Sequence, residues 1–190
     1  MKAEYMNVQH RIIVVVNNMK NKRGFTLIEM ILYIAIVSIF LGGVVQLAWN
    51  SIYGRVKAQV LQHVNYASRF AGKRILFEIR NASDITSVSA TSICLAQADS
   101  ARNPTRIYVT GNAIRIGWGG GVANCATTTN DEPLTGTNVT VLSLAFTNLT
   151  NGALTKHIQF THTVSSSATS GRQEYVASQT YEGSAELRSH

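Results

Sequence analysis

The chain has 190 residues, 45% of them hydrophobic and only 14% charged, with a formal net charge of +7. That length suits one domain plus an anchor and is short for two cores. The sparse charge is low for a cytosolic enzyme and ordinary for a surface or secreted β domain.

The basicity is concentrated at the start of the chain. Residues 1–24 carry Lys2, Arg11, Lys20, Lys22 and Arg23 against the single acid Glu4, so +4 of the +7 belongs to this flank. Such an excess reads as a signal that keeps the N-terminus in the cytoplasm, not as a nucleic-acid patch. Met19 opens a compact MKNKRG leader, so residues 1–18 are expected to be an extension ahead of the true start. The apolar run at residues 12–16 is too short to span a bilayer.

Residues 25–49 have membrane-spanning character, and sixteen uncharged residues run from position 30 to 45. The anomaly is Glu29, five residues into the segment. A carboxylate in hydrocarbon costs about 3 kcal/mol at a helix centre and less near its end. A secretory signal peptide would end in a small-x-small cleavage site, and VVQLAWNS, with Gln46 two places before Ala48, is a poor one. A plain anchor fits the length but leaves Glu29 unexplained. A third reading puts the processing site ahead of the span, between Gly24 and Phe25, and keeps the helix in the mature protein.

KRG-FTLIEM followed directly by an apolar helix resembles the class III signal of bacterial type IV prepilins and type II secretion pseudopilins. The motif comprises Lys22 and Arg23, the small Gly24, the aromatic Phe25, then Thr26, Leu27 and Ile28, and the acid Glu29 at the fifth mature position. The resemblance implies that a prepilin peptidase cleaves between Gly24 and Phe25 and methylates the new amine of Phe25. It also implies that Glu29 meets the Phe25 amine of a neighbouring subunit and sets the axial register of a filament. Within one subunit the two groups are poorly placed to pair, being about 6 Å apart along the axis.

Apolar residues then recur at spacings of three and four from Ile52 and Tyr53 through Val56, Val60, Val64, Ala67, Ala71, Ile75, Ile79 and Ala82, with cationic and amide residues between them. That stripe predicts an amphipathic continuation of the helix over residues 50–83, packed by one face on a globular head. A single helix from residue 25 to 82 would be roughly 85 Å long. Gly42 and Gly43 admit either close helix–helix packing or local unwinding; Gly54 and Gly72 suggest bending. The segment LFEIRNASDI resembles the corresponding part of minor pilins and pseudopilins of the J or W type. Glu29 argues against the tip-most pseudopilin, which lacks an acid at that position.

Residues 84–190 read as a β-rich head. TSICLAQA, RIYVT and AIRIGW are short strands, and RIYVTGNAIRIGW is a hairpin with Gly111-Asn112 at its turn. NVTVLSLAFTNL, KHIQFTHTV and EYVASQTYEGSAEL add three more, while SSSATSG at 165–171 is a loop. The fold class expected is α+β, a long N-terminal helix laid on an antiparallel sheet. Cys94 and Cys125 could pair if the head is exported, or remain two buried thiols.

No catalytic constellation emerges. His157 and His162, five apart in a strand, point to opposite faces, and neither the cysteines nor the histidines have metal-ligand spacing. GWGGG at 117–121 lacks the Lys and the helix of a phosphate loop and reads as a turn. Arg102, Arg106 and Arg115 could gather on DNA, as in a competence pilus, but lack interleaved aromatic platforms and read better as solvated surface. The expectation is a non-enzymatic subunit without metal or cofactor, single-pass in the inner membrane with its N-terminus in the cytoplasm and later part of an extracellular or periplasmic filament. Its implied partners are the prepilin peptidase, other pilins or pseudopilins, membrane lipid before assembly, and indirectly the assembly platform and its ATPase. The competing expectation is a single-span anchor displaying a β binding module that never polymerises.

Overall fold

The computed structural model describes residues 24–120, 125–151, 156–168 and 171–187. The leader, with Met19, Lys20, Lys22 and Arg23, lies outside them, as do Gly121 of the glycine run and residues 169–170 of the serine-rich loop. Among the described residues one α-helix, α1 (Leu27–Asn81), precedes eight strands in two antiparallel sheets, an α+β layout. The chain divides into two compact units, Met1–Asn50 and Ser51–His190.

In the first unit the described chain is the leading part of α1 and the three residues before it. The most apolar 18-residue window of α1 has a mean hydropathy of 2.4, and none of that window is buried. Leu27 and Ile39 are each 79% exposed. A helix this long and apolar is sufficient to cross a membrane. The Ser38 hydroxyl donates to the Ile34 carbonyl at 2.7 Å, which satisfies a polar group without needing water. A methyl group added at Gly42 or Gly43 would meet nothing within 4 Å.

In the second unit α1 buries Val64, Ser68, Ala71, Gly72, Ile75, Glu78 and Ile79, one face of the helix at the expected period. The first sheet has the order β1 (Ala82–Val88), β2 (Ser92–Gln97), β3 (Thr105–Thr110), β4 (Ala113–Trp118) and β5 (Asn130–Pro133). The second has β6 (Val139–Asn148), β7 (His157–Ser166) and β8 (Ser178–Glu186). The predicted hairpin is β3–β4, with Thr110 opposite Ala113. Gly111 and Asn112 both have positive φ, +58° and +64°, the pairing a tight two-residue turn requires. The sheets are stitched at β6, where Val141 N–H donates to the Asn112 carbonyl and Phe146 N–H to that of Ala90. Ile75 and Ile79 of the helix, Ile93, Leu95, Ile107, Ile114 and Ile116 of the first sheet, and Ile158 and Phe160 of the second form one core. Full burial of each contributes about 1.5–3 kcal/mol.

Three elements differ from the sequence reading. Residues 82 and 83, expected within the helix, instead open strand β1, which the sequence reading did not name, and β5 adds an edge strand at residues with no apolar signal. The segment around EYV contains a short 3-10 turn, Gln173–Tyr175, and β8 begins only at Ser178. Gly72 has a packing role that the sequence reading did not name: a Cβ there would stand 2.5–2.7 Å from the Tyr181 ring. The backbone can approach β8 so closely only because the side chain is missing.

Candidate functional site

The Gly24–Phe25 bond, where the sequence reading expects processing, lies just ahead of α1. Gly24, Phe25 and Thr26 precede the helix and are exposed, Phe25 to 79%. A methyl group added at Gly24 would meet nothing within 4 Å among the described residues. Leu27 and Ile28 begin the first turn as exposed apolar side chains. Thr26 ends the non-helical segment as an N-cap. Its Oγ1 accepts from the Glu29 N–H at 3.3 Å, and its carbonyl accepts from the Met30 N–H at 3.2 Å. Thr26-Leu27-Ile28-Glu29 is therefore the T-x-x-E pattern of a capping box, with the acid three residues past the cap. Scanning for charge alone passes over this signature.

The cap gives Glu29 a local reason to stand where it does. The first-turn N–H groups carry the positive end of the helix dipole, so a carboxylate there is favourable by roughly 0.3–1 kcal/mol. A free amine at Phe25 would add a second positive charge beside the same pole. Glu29 stands exposed at the start of α1.

Two polar clusters fix the helix to the head in the second unit. Glu78, its side chain 2% exposed, accepts from Arg74 Nη2 at 2.7 Å and from Arg102 Nη2 at 2.8 Å through the same Oε1. Gln97 Nε2 donates to the other carboxylate oxygen at 3.3 Å, and the Arg102 guanidinium lies over the Trp118 ring. One turn of helix, β2, β4 and the segment before β3 are thereby tied together. His162, fully buried on β7, places Nε2 3.1 Å from the Ser68 carbonyl of α1 and stacks on Tyr181 at 5.4 Å. Burial pushes its pKa below the ordinary imidazole value, opposed in part by the bond to Ser68. The neutral ring with its proton on Nε2 fits this site, and Nδ1 has no hydrogen-bond partner among the described residues. Half-buried His157 lies on the other face of the sheet, as strand alternation requires.

The three arginines considered for DNA do not gather as free cations. Arg102 is bound to Glu78, Arg115 Nε donates to Asp131 at 2.7 Å, and Arg106 lies over the Tyr108 ring at 4.6 Å. Cys94 and Cys125 form a disulfide between β2 and the segment before β5, with Cα atoms 5.9 Å apart across a separation of 31 residues. Gly119 and Gly120 take positive φ in a turn after β4.

A family model described as the prokaryotic N-terminal methylation motif matches residues 19–45. No curated protein and no solved structure matches the chain. The matched segment contains the Gly24–Phe25 junction, the capped first turn, Glu29 and most of the apolar helix. With that motif at its N-terminus, a long apolar helix behind it and an antiparallel β head after that, the chain has the layout of a type IV pilin-like protein.

Proposed function

We propose that this protein is a minor pilin or pseudopilin, cut between Gly24 and Phe25 by prepilin peptidase, methylated on Phe25 and built into a type IV pilus or type II secretion pseudopilus. The observation that carries the reading is the methylation motif over residues 19–45, in register with the exposed junction and the capped first turn. The subunit works by assembly, without chemistry of its own. Before assembly the apolar half of α1 holds it in the inner membrane, N-terminus inside; afterwards that half lies in the filament core. Glu29 neutralises the Phe25 amine of a neighbour and fixes register, because an unpaired charge in apolar surroundings is costly. The head, closed by its disulfide after export, supplies specificity, and residues 25–49, 50–83 and 84–190 are the anchor, the amphipathic continuation and the head.

The test is Glu29→Ala and Glu29→Gln in cells that produce the filament. Both variants are expected to be cut at Gly24–Phe25, to fold their heads and to accumulate in the membrane, while the sheared filament fraction loses them at least tenfold. Wild-type incorporation of either variant removes the register role.

A further inference from the structure

The exposed face of α1 in the second unit carries an ordered surface. Arg55, Arg69, Lys73 and Arg80 are all exposed and, at 3.6 residues per turn, lie within an arc of about 40° along roughly 38 Å of helix. Between them on the same side stand exposed aromatics: Tyr66, Phe70 and Phe77 are 72%, 49% and 55% exposed. None of the four cations has an ion-pair partner among the described residues, whose ion pairs use other side chains. Residues 51–81 contain six Lys/Arg and one acid, the buried Glu78. Tyr66 and Phe70, stacked with ring centroids 6.3 Å apart, also form one wall of a cavity of about 270 Å³ whose other wall includes Leu134 and Val139.

We infer that this face is the docking surface for an acidic helix of a different subunit of the same assembly, a partner whose carboxylates meet Arg69 and Lys73 and whose apolar side chain enters the groove beside Phe70. Exposed aromatics interleaved with arginine are the composition of a protein interface core, and a covering surface without carboxylates would leave the cations desolvated and unpaired. A second copy presents the same cations on its own α1. Among its described carboxylates Glu78, Asp84, Asp131 and Glu174 are already paired, Asp99 accepts from the Ala101 N–H, and Glu132, Glu182 and Glu186 sit on strands. Glu29, the one exposed acid on a described α-helix, is assigned by the assembly reading to the Phe25 amine. Nucleic acid would satisfy the cations but not the apolar groove. The inference rests on the assembly reading above and adds the partner's chemistry to it.

The experiment places a photo-cross-linking phenylalanine analogue at Phe70 of the full chain in producing cells, and maps the cross-linked peptide by mass spectrometry. The expected product joins Phe70 to a carboxylate-bearing helical segment of another protein with the same N-terminal motif. Arg69→Glu with Lys73→Glu reduces that product at least tenfold, whereas Arg69→Lys with Lys73→Arg retains it. Thermal unfolding of each variant verifies that the head is intact. An adduct with a second copy, with nucleic acid or with phospholipid, no adduct at all, or a yield unaffected by charge reversal overturns the inference. The N-terminal mass of the same sample separates the two ideas: a retained leader overturns the assembly reading together with this one, whereas a mature chain carrying a different adduct or none overturns only the partner assignment.

Discussion

Gly72 poses a question of sign that magnitudes can decide. In an exposed stretch of helix, Gly→Ala stabilises by about 1 kcal/mol, because alanine loses less backbone entropy. At Gly72 the new methyl group would stand 2.5–2.7 Å from the Tyr181 ring, too close without movement. That ring cannot simply swing away, since it stacks against His162 at 5.4 Å and Phe160 at 6.0 Å. Overpacking of this kind costs about 1–3 kcal/mol. Gly72→Ala should therefore destabilise by about 1 kcal/mol after the helix term is subtracted. Gly54→Ala, with nothing within 4 Å of the new methyl, should be neutral to stabilising by about 1 kcal/mol. Urea unfolding of the detergent-solubilised full chain, followed by fluorescence of half-buried Trp118, reads both, with unchanged slopes confirming that only stability moved. Equal stabilisation by the two substitutions would refute the close helix–sheet contact.

Three further outcomes follow from the head. Glu78→Ala removes the carboxylate shared by Arg74 and Arg102 and is expected to cost about 3 kcal/mol in the same assay, while Arg102→Ala costs less because Arg74 and Gln97 still hold the carboxylate. Replacing Cys94 and Cys125 together by serine should lower stability by about 3–4 kcal/mol through the lost loop closure; unchanged stability would mean that the cross-link does not form in the purified protein. His162 has its folded pKa depressed, so the unfolded chain takes up the proton first. Stability should fall as pH drops below about 6.5, by at most about 1.4 kcal/mol per pH unit, and His162→Phe should flatten that slope. The Asp84 carboxyl, held below its usual range by its bond to Lys156, contributes stability present above about pH 3.9 and lost on acidification through its lower folded value, so the two windows separate.

The sequence disclosed the parts whose signals are local. Glu29 stands out because a carboxylate in an apolar run has few neighbours to hide among, and Gly111-Asn112 marks its turn because few residues tolerate positive φ. β1 was illegible for a physical reason: irregular registers between Ala82 and Asp84 and between Ile85 and Ser87 break the two-residue alternation. β5 is four exposed residues ending in Pro133, which gives no apolar pattern to read. Glu78 and Arg102 are 24 positions apart, and Gly72 meets Tyr181 only through the tertiary fold. Strand alternation put His157 and His162 on opposite faces, but which face is buried depends on where α1 packs. The Thr26 cap was available in the T-x-x-E spacing, hidden behind the louder charge anomaly at the same glutamate.

Every functional statement depends on a proteolytic event at one peptide bond. The most direct measurement is the intact mass and N-terminal peptide of the protein recovered from the membrane and filament fractions of cells that produce it. The predicted species starts at Phe25, carries one methyl group on its amine and is present in the filament. A chain that retains residues 1–24 in the membrane, with none in any fibre, contradicts the account.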